Sequence, residues 1–167
     1  MGIRRRLPDT LEITVTDRAA AAAFEANGAY WTCSGDGTLL ELTMTPPENA
    51  ALILGAKLKG SRAGETFTCE DGARQTLLRE IFAGIGDNGL WDKVTRIDVV
   101  HTFAIVVTYG SEFDVVLGSS GRIADELASL ETVIGEIRSQ GYASGTINMT
   151  SSGVRYTPDR YAGSEAE

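Results

Sequence analysis

Between residues 123 and 137 the apolar side chains Ile123, Leu127, Leu130, Ile134 and Ile137 recur at alternating steps of four and three. An α-helix, at about 3.6 residues per turn, gathers that spacing onto one face. Ser119 or Ser120 offers a capping hydroxyl at its start, and Gly141 a stop. The stripe covers five contacts, little more than two heptads. That is too short for a coiled-coil seam, so it is expected to pack on a sheet.

The rest of the chain carries a second helical period and many period-two runs. From Ala73 to Ile85, Leu77, Leu78, Ile81, Phe82 and Ile85 share one face, with Asp71 as the expected cap and Gly84, Gly86 and Asn88-Gly89 as the stop. Leu11, Ile13 and Val15 alternate with Glu12, Thr14 and Thr16, as a strand with one wet face does. Short strands are expected at Ala20 to Phe24, Tyr30 to Cys33 and Leu39 to Leu42, separated by Asn27-Gly28 and Gly35-Asp36-Gly37 turns. Pro46-Pro47 closes that region, and a glycine-rich connection runs from Gly55 to Gly64. Period two returns in Val94 to Val99, in Phe103, Ile105, Val107 and Tyr109, and in Phe113, Val115 and Leu117. Val106 and Val116 on the opposite faces predict central strands covered on both sides. Ile147 to Met149 and Val154 to Tyr156 form a closing hairpin around Ser151-Ser152-Gly153, before a polar, acidic tail. The pattern predicts one α+β domain: a twisted antiparallel or mixed sheet of roughly eight to eleven short strands with two amphipathic helices packed on it.

Composition narrows the function. The 167 residues are 43% hydrophobic and 23% charged, enough to bury a core. Fifteen basic against 23 acidic residues leave a net charge of −8, which disfavours nucleic acid. No run approaches the roughly 20 apolar residues of a membrane span. Met1-Gly2-Ile3-Arg4-Arg5-Arg6 leads into Leu7-Pro8-Asp9-Thr10 and not into an apolar segment, so it is no signal peptide. The abrupt opening reads as a piece of something longer. Cys33 and Cys69 could join in an oxidising compartment; two separate buried thiols are the alternative reading.

Several constellations of residues bear on chemistry. Gly84-Ile85-Gly86-Asp87-Asn88-Gly89 matches G-x-G-x-x-G, but a helix precedes it and a strand follows, the reverse of what a pyrophosphate site needs. His101 is the single histidine, so a histidine metal cluster is excluded, and an enzyme would need it buried beside a nucleophile. Asp98 and Asp114 flank one strand region, where surface solvation competes with acid–base work. Ser119-Ser120-Gly121 resembles an anion-binding helix start that ordinary capping explains, and the sequon Asn148-Met149-Thr150 falls inside a strand. No metal or cofactor is implied. A domain with a good core and no convergent polar set points to an interaction module. The rival is an exported ligand- or cell-wall-glycan-binding module with a concave site lined by Tyr30, Trp31 and Trp91.

Segments spread along the chain carry a resemblance. Residues from Arg5 to Arg18, ending Asp17-Arg18-Ala19, are followed by Tyr30-Trp31 and the turn Gly35-Asp36-Gly37, then Leu52 to Gly60. Later come Phe113-Asp114-Val115-Val116-Leu117-Gly118, the helix Ile123 to Ile137, with Glu126 where a lysine is usual, and Gly145-Thr146-Ile147-Asn148-Met149-Thr150. In order and separation these resemble the extracytoplasmic β domain of the FtsQ/DivIB cell-division family. The resemblance implies that residues 1–18 end a membrane-proximal POTRA-like region, 19–158 form the β domain, and 159–167 are a disordered tail. It implies a non-enzymatic protein anchored by one membrane helix, acting outside the bacterial membrane at the division site and holding FtsL and FtsB/DivIC together. The partner-binding region of the family corresponds here to Thr150, Ser151, Ser152, Gly153, Val154, Arg155 and Tyr156. Tyr156 stands at the place of a family aromatic, with simple core packing as its other reading.

Overall fold

A computed structural model describes residues 2–6, 10–14, 18–118, 121–150 and 153–159. Strands β1 (Gly2–Arg6) and β2 (Thr10–Thr14) pair antiparallel as a separate two-stranded sheet. Val15, expected to extend the second of these strands, and most of the acidic tail lie outside the described residues.

The main sheet contains β3 (Ala22–Ala26), β4 (Ala29–Cys33), β5 (Leu39–Thr43), β6 (Ala51–Leu54), β7 (Val94–Asp98), β8 (Ile105–Tyr109), β9 (Phe113–Leu117), β10 (Gly145–Thr150) and β11 (Gly153–Pro158). Their order is β11-β10-β9-β8-β7-β6-β3-β4-β5. The pairs β3–β6, β6–β7 and β9–β10 are parallel and the rest antiparallel, so the sheet is mixed. Helix α1 (Gly72–Asp87) links β6 to β7, and α2 (Ile123–Ser139) links β9 to β10. Both crossovers step in the same direction between parallel neighbours that point the same way. One handedness therefore places both helices on one face, where they pack against each other: a Cβ at Gly84 would lie 2.7 Å from Leu127 Cδ1.

This topology corrects the expectation of a sheet covered on both sides. Along β8 and β9 the pattern is strictly alternating: Ile105, Val107, Val115 and Leu117 are buried under the helices, while Val106 and Val116 are half-exposed on the other face. Both strands are interior to the sheet, as expected, but the helices cover only one face.

Local chemistry accounts for several boundaries. Asp71 caps α1 as expected, accepting from Ala73 N at 2.8 Å and Arg74 N at 3.2 Å. Gly84 and Gly86 do not end that helix; they lie inside it, Gly84 because α2 comes so close, and the C-cap is Asn88. For α2 the N-cap position falls on Arg122, with no side-chain capping bond, while Ser119 and Ser120 lie outside the described residues. Its buried face holds all five residues of the stripe. Phe103, expected in a strand, is instead 79% exposed. The strand β7 stops short because Asp98 Oδ1 accepts Val100 N–H at 2.9 Å and the Arg74 guanidinium binds the carbonyls of Val99 and Val100.

Two pieces of the family-like pattern meet in space. Arg18 donates to Asp36 Oδ2 at 2.9 Å and to Thr38 Oγ1 at 2.7 Å. In the Gly35-Asp36-Gly37 turn, Gly37 has φ +81° and lies so close to Phe67 that a Cβ would approach its ring at 2.8 Å. The Ser34 hydroxyl donates to Asp36 at 2.5 Å and, with the Thr38 amide and Arg18, holds that carboxyl below its ordinary range.

Candidate interaction surface at the sheet edge

Strand β11 closes one side of the main sheet. It pairs antiparallel with β10 in the register Thr146–Thr157, Ile147–Tyr156, Asn148–Arg155 and Met149–Val154. The Gly145 N–H donates to Glu112 O on the β9 side at 2.9 Å. Backbone alternation then turns Thr146 and Asn148 toward β11, where they meet Thr157 and Arg155, and aims the amide of Val154 away from β10.

Val154 and Tyr156 share the helix-side face, beside buried Met149 and Ile147. Val154 is 49% exposed, whereas Tyr156 is half-buried and packed on the core. The Tyr156 hydroxyl donates to Ser144 O at 2.6 Å, and its ring lies 5.3 Å from that of Tyr142. Tyr142, itself 42% exposed, was missed by sequence reasoning. An aromatic directly after the helix-ending Gly141 was the signal that could have found it. Arg155 is exposed on the opposite face, Thr150 pairs with Gly153, and Ser151 and Ser152 lie outside the described residues. At the other edge, β5 is partly occupied: Leu39 N–H donates to Glu65 O and Gly64 N–H to Leu39 O, both at 2.8 Å.

The other candidate groups stay apart. Tyr30 and Trp31 are neighbours on β4, so they point to opposite faces, and Trp91 lies in a cleft with Phe82, Arg79 and Asp87. The expected aromatic-lined concave site is therefore not assembled. His101 is exposed, its ring 5.5 Å from Phe103. Asp114 accepts from Thr108 Oγ1 at 2.7 Å and from Arg96 at 3.3 Å on the helix-free face, whereas Asp98 is turned to its own loop. The G-x-G-x-x-G string is the last part of α1 and the turn after it. Cys33 and Cys69 are both free and buried, so the contemplated disulfide is not formed. Among the described residues no three His, Cys, Asp or Glu side chains are placed to hold a metal.

No family model matches the sequence. The cell division protein DivIB of Clostridium acetobutylicum is 30% identical over 136 residues, 80% of this chain and 53% of that protein. This chain is similar to that member of the FtsQ/DivIB family. It spans about half the length of that curated relative. Among solved structures, the major extracytoplasmic domain of the trans isomer of DivIB from Geobacillus stearothermophilus is similar, with a TM-score of 0.45 and 14% identity over 75% of this chain and 98% of that one. The α+β fold, with its mixed sheet and two helices, is the one the FtsQ/DivIB resemblance implied.

Proposed function

We propose that this domain is a non-catalytic scaffold that works outside the membrane at the division site and binds FtsL and FtsB/DivIC-like proteins by strand addition to β11. The observation that carries this reading is the edge itself. Six residues, Gly153 to Pro158, border the sheet, with the Val154 amide directed outward and its side chain 49% exposed. Such a strand is a template for an added strand, with main-chain bonds for affinity and alternate side chains for selectivity. The partly occupied edge at β5 offers less of this.

The test is calorimetric titration of the domain with the ectodomain of a DivIC protein from the same organism. Proline at Val154 removes a donor that β10 does not use, so the sheet keeps its pairing while the outer edge loses a bond. Val154→Pro is expected to weaken binding at least tenfold with an unchanged circular dichroism spectrum. Unchanged affinity in a folded variant would overturn strand addition at this edge.

A further inference from the structure

We propose that Tyr156 and Gly145 form a latch that positions β11, so that Tyr156 governs partner binding through the strand it holds and not by touching the partner. The inference rests on the edge reading above. It concerns what keeps that edge in place.

Gly145 is buried, with φ +151°, where a side chain would be strained. A Cβ there would meet Thr157 O at 2.4 Å, Tyr156 Cε2 at 2.8 Å and Pro158 Cα at 2.9 Å. The end of β11 therefore closes onto a bare α-carbon, and the Tyr156 ring lies across the start of β10. Its hydroxyl reaches Ser144 O at 2.6 Å, a carbonyl that also accepts from Asp159 N–H at 3.4 Å. On its other side Gly145 donates to Glu112 O at 2.9 Å, and Arg138 of α2 holds the Glu112 carboxylate at 3.0 Å. One residue thus ties β11 to β9 through β10. A two-stranded pairing is marginal alone, so an edge strand of six residues needs such a fastening. With its ring on Gly145 and its hydroxyl on Ser144, Tyr156 is committed inward, and Val154 is the apolar side chain the strand presents.

The test separates a latch from a contact by stapling the strand another way. Cysteines at Thr146 and Thr157 face each other across β10 and β11, on the face opposite Tyr156, at a pairing distance within disulfide reach. Tyr156→Ala is expected to raise amide exchange in β11 about tenfold, leave exchange in α1, α2 and the central strands unchanged, and lower affinity for the DivIC ectodomain at least tenfold. Adding T146C/T157C and oxidising should restore affinity to within about threefold of the parent carrying the same staple. Gly145→Ala is expected to reproduce the exchange effect with Tyr156 intact. If exchange in β11 does not rise, or the staple fails to restore binding, Tyr156 is a contact residue and the latch is overturned, while strand addition stands. If instead Val154→Pro binds normally, the edge reading fails first and this inference falls with it.

Discussion

Cys33 sits in β4 at 0% exposure and Cys69 at 7%, and burial pushes their thiols up to about 12 and about 11. Since the thiolate is the nucleophile, both should be inert in the native protein. At pH 8 a thiol reagent is expected to modify neither until guanidinium unfolds the chain, and then both; prompt labelling of the native protein would contradict this burial. The linkage has a definite sign. Each thiol is neutral in the fold and ionises near 8.5 when unfolded, so its contribution is intact below that pH and is lost as pH rises toward 11 and 12. Stability measured by urea unfolding should therefore fall between about pH 8.5 and 11, and the fall from this source should vanish in a double Cys→Ala variant. The sequence made the buried thiols legible as one of two readings, because two cysteines are too few for a disulfide scaffold and have no second pair nearby for zinc. It could not show whether they approach each other, which depends on strand order.

At the scale of an element, α2 was legible because its face is periodic, and its apolar residues are buried as that period demands. Glu126 was not. It follows Asp125 as a second acidic residue of the first turn yet is 4% exposed, since its carboxylate folds back to accept the Gly118 N–H at 2.8 Å, with Arg122 Nε 3.9 Å from the other oxygen. The carboxylate fastens the β9–α2 connection, to which Glu80 of α1 adds a second bond, accepting the Gly121 N–H at 3.1 Å. Helix periodicity cannot reveal a polar side chain whose partner is eight residues back on a strand end. Glu126→Gln keeps an acceptor for Gly118 and should cost about 1 kcal/mol. Glu126→Lys restores the residue usual in the family but offers no acceptor and places a second cation beside Arg122; it should cost about 3 kcal/mol or more. Urea unfolding checks both, and equal losses would mean that the Gly118 bond contributes nothing.

Across the whole molecule, two helical periods among many alternating ones led to an α+β domain, and they did so for a physical reason. A one-sided helix needs a sheet face, and each short alternating strand needs a neighbour. Strand order was illegible, because β3 pairs with β6 only after β4 and β5 have formed a hairpin excursion between them in sequence, and periodicity carries no information on such non-local pairing. The consequence is a single apolar layer running beneath the sheet from Cys33 and Phe24 at one end to Ile147 at the other, closed by α1 and α2. A layer without a polar break should unfold as one unit. Phe24→Ala, at the β3 end beside Phe67, should cost about 3–5 kcal/mol, and Ile147→Ala, under β10, about 2–5 kcal/mol. Trp31 and Trp91 both pack against this same layer, so tryptophan fluorescence reports on it directly. In urea, fluorescence and far-ultraviolet circular dichroism are expected to give coincident transitions in the parent and in both variants, each shifted to lower urea with an unchanged slope. If Ile147→Ala moved the circular dichroism transition while leaving fluorescence in place, the β9–β11 end would be a separate folding unit. The edge strand would then melt independently of the sheet that presents it.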